Sequence, residues 1–489
     1  MQGTTNDSNG LFCYFQPEDI IPENHFLKQL NKYIDFSFIR QKVKHLYSHT
    51  GRPSIAPEVM IKMLLIGYFF DITSERKLCD EISMHIGYRW FCGLRMDEKV
   101  PNHSTFSKNR HGRFKESGIF QDIFDEIVKQ CIESGIVSGE HVTVDGSFVK
   151  ANAALKNMEP IVVQLNPVEY IKEIEKQNPV KSGKPWEPDD DYKNRGKKIS
   201  NKTHVSKSDP DSRIGRKGKS STDLYYCINY LMDNKNQMIL SVKPSTPDRG
   251  GEQRAAKKML TDLLWKFKIR PDSLGADKGY ATGEFIHHLV KSGVKPHIPI
   301  QEHIRNPQKG IYPVSEFKYD AENNQYICPQ GKILKYSSYH KYSRQLVWRA
   351  KKKDCKNCTS KTECTRSMTL RSISRHIYSE DIEKAKKMNT TKSYISSQIK
   401  RKWIEGLFGE AKEFMGLRVA KFRRRWNIQE QFIMTALAQN IKRMVKILAR
   451  SDGGVPSSTK ASLFSVIMTF FSNFSRYIYL CFQFEGQGY

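Results

Sequence analysis

Three acidic residues stand where they could share one piece of chemistry. Asp145 lies in HVTVDGSFVKANA (residues 141–153), where Val142 and Val144 alternate with Thr143 as on a strand, and Gly146 follows the acid directly. Asp277, in LGADKGYAT, is again an acid at an expected strand end beside a glycine turn. Acids at the carboxyl ends of strands in an open α/β sheet point into the crevice where ligands bind. Each also has a plainer reading, Asp145 as part of an Asp-Gly turn and Asp277 as an N-cap or turn residue. The third acid is Glu405 in the helical stretch RKWIEGLFGEAK. At about 100° per residue, Glu405 lies ~40° and Lys412 ~20° round the helix from Arg401, so the three share a stripe. Glu410 and Glu413, at ~180° and ~120°, fall off it, and Trp403, Leu407 and Phe414 gather near the opposite side, which is expected to be buried. Alone, the stripe is either a surface ion-pair row worth a few tenths of a kcal/mol or one wall of a site. Three carboxylates from two strand ends and a helix could hold two hard divalent cations roughly 3.5–4 Å apart, suited to in-line displacement at phosphorus. Arg401 and Lys412 would then hold the phosphodiester backbone beside them.

A second constellation is sulfur-based. Cys328 lies in YICPQGK, and Cys355, Cys358 and Cys364 lie in KDCKNCTSKTEC. A CxxC pair with two further cysteines could close a tetrahedral Zn²⁺ site. The five residues between Cys358 and Cys364 and the long gap after Cys328 are looser than a zinc ribbon. The alternative is four reduced cysteines packed as small apolar side chains. Cys13, Cys79, Cys92, Cys131, Cys227 and Cys481 are scattered and read as structural. Ten cysteines in so large a chain do not make a disulfide scaffold.

Placing these residues requires a particular order of elements. Residues 26–135 carry apolar residues at helical spacing, broken by GRPSIAP (51–57), with PEVMIKMLLIGYFF and SERKLCDEISMHIGY as two further helices and Ser74 as an N-cap. PNHSTFSKNRHGRFKESG (101–118) opens a shorter basic helix. Such a series suits either a helical DNA-binding module or a plain helical bundle. From about 136 the pattern turns to strands, with a hairpin in DLYYCINYLMDNKNQMILSVKPSTP (223–247). A strand–turn–helix follows at 276–293, a strand at 295–300, and long helices over 396–418 and 427–448. Strands first, then strands alternating with helices, indicate an α/β core. Residues 181–220 hold twelve Lys/Arg and six Asp/Glu with few large apolar residues, and are expected to form a mobile basic loop.

The 489 residues suffice for two or three domains, and a net charge of +28 favours a polyanionic partner. Nucleic acid is the first candidate and an acidic membrane surface the second. The first ten residues carry no secretory leader pattern, and MLLIGYFF (63–70) is too short to span a bilayer. The apolar stretch Leu463–Phe484 carries Asn473 and Arg476, so it reads as a docking element, and a cytoplasmic location is expected.

In these residues the chain resembles the DDE-class transposases of bacterial insertion sequences, and among them the insertion-sequence 1182 group. The resemblance runs from LNKYIDFSFIRQKV to ALAQNIKRMVKIL; its most specific pieces are RPSIAPEVMIKMLLIGYFFDITSERKLCDEI, VDGSFVKANA, ADKGYAT and RKWIEGLFGEAKEFMGLR. It implies that Asp145, Asp277 and Glu405 form a catalytic triad binding two Mg²⁺, with Mn²⁺ as a substitute. Arg401 and Lys412 match the basic positions of the tyrosine-arginine-glutamate-lysine signature. The tyrosine is absent at its expected spacing, where Gln398 stands; Tyr394 lies one turn earlier. The implied fold is multidomain. An all-α N-terminal domain (1–135) binds double-stranded DNA at terminal inverted repeats. An α/β RNase H-like catalytic core (136–450) follows, interrupted by a flexible basic insertion (157–220) and a Cys-rich insertion (301–384), and then a linker and apolar tail (451–489). The implied reaction frees a 3′-hydroxyl at the element's end and uses it to attack target DNA, in a homodimer. Two other readings remain open, a non-catalytic domesticated DNA-binding protein and a two-metal nuclease without strand transfer.

Overall fold

In the computed structural model the described residues are 16–47, 50, 54–115, 117–161, 199–216, 221–248, 250–300 and 311–452. Most of the expected basic loop, Cys13, Cys481 and the apolar stretch 463–484 lie outside them. The N-terminal region is helical as expected: α1 (Pro17–Ile20), α2 (Phe26–Tyr33), α3 (Phe38–Val43), α4 (Pro57–Phe69), α5 (Glu75–Met84), α6 (Ile86–Cys92), α7 (His103–Lys108) and α8 (Ile119–Glu133). Helix α4 begins with proline at its first turn, where the missing N–H costs nothing, and is buried on nearly every side. Ser74 caps α5, its hydroxyl accepting the Lys77 N–H at 3.3 Å.

The central six-stranded sheet contains β1 (His141–Lys150), β4 (Arg213–Gly215), β5 (Asp223–Asp233), β6 (Met238–Ser245), β7 (Ser273–Gly275) and β8 (Lys295–His297). Strands β6, β5 and β1 run as an antiparallel meander, and β7 and β8 then add parallel to β1. Helices α9 (Gly251–Phe267) and α10 (Gly283–Lys291) supply the crossovers, while α14 (Lys392–Phe414) packs on β1 and β7. Helix α15 (Arg425–Asp452) lies between β6 on one side and α2, α4 and α8 on the other. Through α15, Leu27, Leu65 and Phe124 of the helical region join Tyr230, Leu274, Leu407 and Phe432 in one continuous apolar core. Residue 135 therefore marks a change of secondary structure rather than a gap in packing.

Part of the expected mobile insertion is built into the fold. β2 (Met158–Pro160) pairs with β3 (His204–Ser206), and β4 joins the edge of the main sheet. The buried Asp209 carboxylate accepts from the Tyr226 hydroxyl at 2.8 Å and the Arg424 N–H at 3.0 Å. Polar anchoring fixes a segment whose apolar content alone gave no sign of order.

The Cys-rich insertion is a five-stranded antiparallel sheet of β9 (Lys318–Asp320), β10 (Gln325–Ile327), β11 (Ile333–His340), β12 (Gln345–Ala350) and β13 (Ser372–His376). Short helices α11 (Lys352–Lys356) and α12 (Lys361–Cys364) lie between β12 and β13. The sheet has its own small core around Trp348, separate from the main one. Helix α13 (Ser379–Met388) returns the chain to α10, where His287 stacks on Tyr378 and meets Asp381 at 2.6 Å.

Candidate active site

Strand β1 does not stop at Asp145, and the Asp-Gly turn reading is corrected. Asp145 lies inside a ten-residue strand, opposite Tyr230 of β5. What ends is the pairing on its other edge, since β7 follows β1 only over His141–Thr143. The carboxylate therefore emerges just past the end of the parallel pair, where crevices open in α/β sheets. Asp277 follows the end of β7 in the same way and also caps a turn, Oδ1 accepting the Gly279 N–H at 2.8 Å. Both readings of Asp277 hold together.

Helix α14 brings the third acid. Its buried residues are Ile404, Leu407, Phe408 and Ala411, while Trp403 is half-buried and Phe414 is 65% exposed. The apolar face thus centres roughly 70° round from Arg401, not across from it. The expected burial of Phe414 is corrected: it is the last residue of the helix, beyond the turns that pack on the sheet. This rotation puts Glu405 at the rim of the core. Glu410 and Glu413 are engaged elsewhere, Glu410 with Arg443 at 2.8 Å and Glu413 with Arg418.

Asp145, Asp277, Gln398, Arg401, Glu405 and Lys412 line one cleft of about 720 Å³. Arg401 and Glu405 form the i,i+4 ion pair at 3.3 Å, with the Arg401 side chain 20% exposed and Glu405 58% exposed, so the guanidinium is set into the cleft wall while the carboxylate stays open to solvent. Lys412 Nζ donates to Ser147 Oγ at 2.7 Å, fixing a cation over β1. Gln398 takes the place of the missing tyrosine and donates to the His297 carbonyl at 2.7 Å, tying α14 to the end of β8. Tyr394 instead meets the His297 ring edge-on at 6.2 Å and is not among the residues lining the cleft.

The acids press on one another. The Asp145 carboxyl is pushed up to about 6, mainly by burial; Asp277 and Glu252 add to the rise, and the Gly146 amide and Arg401 oppose it. Glu252, in the first turn of α9, is a fourth acid that sequence reasoning missed. A Cβ on Gly146 would stand 2.8 Å from Glu252 Oε1 and 3.0 Å from Cys227 Sγ, so glycine here makes room for neighbouring side chains. The only sequence signal for Glu252 is an acid opening a helix, which helix-end electrostatics alone would explain.

An all-oxygen donor set of this kind suits hard divalent cations rather than zinc. Among the described residues, no three acid, histidine or cysteine side chains are gathered into a ready metal cage. The carboxylates instead border an open cleft, with Glu405 drawn to Arg401. A buried carboxyl with a raised pKa between other acids is the electrostatic situation that a bound cation relieves.

Residues 15–112 match the family model described as Transposase domain (DUF772), and residues 327–445 match the one described as Transposase DDE domain. The second match spans Arg401, Glu405, Lys412 and the four clustered cysteines; Asp145 and Asp277 precede it. No curated protein matches the chain. Among solved structures, a piggyBac transposase synaptic complex with hairpin DNA is similar at 12% identity and a TM-score of 0.32, over 88% of this chain and 74% of that one. That likeness is too distant to carry detail. Among the described residues no helix is long and apolar enough to cross a membrane. Two separate stretches of the chain thus match transposase-domain models, and both matches support a DDE transposase of insertion sequences.

Proposed function

We propose that the cleft cuts double-stranded DNA at the terminal inverted repeats of its element and joins the freed 3′-hydroxyl to target DNA, on an RNase H-like core of the insertion-sequence 1182 type. The observation that carries this reading is convergence: three acids from separate segments line one cleft with Arg401 and Lys412. Asp145, Asp277 and Glu405 would hold two Mg²⁺ ions, which Mn²⁺ would replace. When bound, such ions supply Lewis acidity at the scissile phosphate and lower the pKa of the attacking oxygen.

The chain's own residues hold and orient the substrate. Arg401 and Lys412 take the non-bridging phosphate oxygens, and Ser147 fixes the lysine. Gln398 ties α14 to the end of β8 through the His297 carbonyl and to the Ala276 carbonyl, next to Asp277, at 3.5 Å. In the first step water attacks phosphorus and the bond to the 3′-oxygen breaks, leaving a 3′-hydroxyl and a 5′-phosphate. In the second step that hydroxyl attacks a target phosphate and the target's own 3′-oxygen leaves. Two copies acting as a homodimer would place the two element ends together.

The test incubates the chain with end-repeat duplex, supercoiled target and Mg²⁺. Joined product is expected. Nicked ends without joining would make it a nuclease, and binding without cutting would make it a domesticated DNA-binding protein. In the same assay Arg401→Ala and Lys412→Ala should weaken DNA binding. Each lost phosphate contact should make the slope of log K against log[salt] shallower by ~0.9. Unchanged slopes and unchanged cutting would return both cations to a purely structural role.

A further inference from the structure

The cysteines of the insertion come from separate places in its chain. Cys328 follows β10, Cys355 lies in α11, Cys358 just beyond it, and Cys364 ends α12. All four line one cavity of about 30 Å³, and none is in a disulfide. Cys328, Cys355 and Cys364 pack against the small core around Phe317, Tyr326 and Trp348. We propose that Cys328, Cys355, Cys358 and Cys364 bind one structural Zn²⁺ as four thiolates.

Three observations support this assignment. The first is a turn built to favour a thiolate: in Cys328-Pro-Gln-Gly-Lys, Gly331 takes a left-handed φ of 71° and the Lys332 N–H donates to Cys328 Sγ at 3.2 Å. An N–H aimed at sulfur stabilises its charged form. The second is charge: four thiolates around Zn²⁺ carry a net charge of −2, and the cavity lining holds two cations, Lys332 and Arg371, against one acid, Asp354. The Arg371 guanidinium is held there by the Cys364 carbonyl at 2.8 Å and the Tyr312 carbonyl at 3.1 Å, and its Nε is buried with no hydrogen-bond partner among the described residues.

The third is stability. Six buried apolar residues form the core of this five-stranded sheet, few for a unit that shares no core with the main body. Sheets with cores this small are usually stapled by metal or disulfide. As placed, the four cysteines line the cavity without forming a ready cage among the described residues, so metal binding would draw their sulfurs together. Thiolates select zinc over Mg²⁺, so this site is separate from the carboxylate cleft.

The test uses the full chain purified in reductant without chelator. Elemental analysis should give about one zinc per chain, the stoichiometry of a four-thiolate site. Replacement by Co²⁺ should give the intense sulfur-to-metal charge-transfer bands of tetrahedral thiolate cobalt. Alkylation read by mass spectrometry should find these four thiols protected until chelator is added, which tests the wild-type chain directly. Cys328→Ser and Cys358→Ser should each lose the metal and expose 311–376 to protease. No zinc, no cobalt bands and a protease-resistant 311–376 would show four packing cysteines. Mutually linked cysteines under the same conditions would show disulfides, and zinc retained in both variants would place the metal elsewhere.

Discussion

Cleavage of element-end DNA should fall by about 10³-fold or more in Asp145→Asn, Asp277→Asn and Glu405→Gln, since even one uncharged transition-state donor is worth ~10²–10³. The amide keeps the shape of each side chain and removes the charge that holds a hard cation. DNA binding should move the other way. Asp145 is buried near Asp277 and Glu252, and Asp145, Asp277 and Glu405 line a cleft proposed to receive phosphate. Without metal, neutralising any of the three residues should leave DNA affinity unchanged or raise it, because one repulsion is gone. Lost cutting with retained or tighter binding would separate a metal-holding acid from a merely structural one, whose loss would weaken both. A variant that still cuts at close to the wild-type rate removes that residue from the site. Full cutting in excess EDTA would remove the metal altogether.

The sequence showed the acids more clearly than it showed their setting. Asp145 was legible as an acid after a strand-like alternation, but strand length was not, because pairing with distant β5, from Ser147 opposite Ile228 to Lys150 opposite Tyr225, carries β1 on past Gly146. Such non-local pairing leaves no local periodicity to read. Glu405 was legible from angles on a helix, and the structure agrees that it shares a face with Arg401. Leu407 is buried as expected, but the burial side was misjudged because Trp403 and Phe414 were weighted by apolarity, whereas packing chose the stripe of Ile404, Leu407, Phe408 and Ala411. Glu252 was invisible because only the fold brings α9 over Gly146. The hairpin of β5 and β6 was the easiest element, since its turn and both strands lie within one short stretch.

The basic stretch after α7 illustrates the same limit and gives the largest expected stability effect. Arg110 lies in the basic stretch 101–118, whose pattern suits a helical DNA-binding module and a plain helical bundle equally. In the structure it is 5% exposed, with Nε donating to Glu430 at 2.5 Å and Nη1 to Glu75 at 2.9 Å, and its guanidinium lies 4.4 Å from the centre of the Phe422 ring. Burial opposes its charge, but Glu430, Tyr68 and Glu75 more than offset that, so the guanidinium stays protonated. Glu75 belongs to α5 of the helical region and Glu430 to α15 of the sheet layer, so Arg110 bridges the two. Arg110→Ala removes the cation that two partly or fully buried carboxylates face, which should cost about 3–5 kcal/mol. Arg110→Met with Glu430→Met and Glu75→Gln should recover most of that loss, because a buried ionic group replaced as a whole by uncharged side chains of similar volume is often neutral. Denaturant unfolding followed both by far-UV signal and by protease sensitivity of 57–133 should show the helical layer and the sheet melting together, as their shared core requires. A loss under about 1 kcal/mol in Arg110→Ala would be within the range of ordinary surface changes. In that case the helical region could act as an independent DNA-binding module after all.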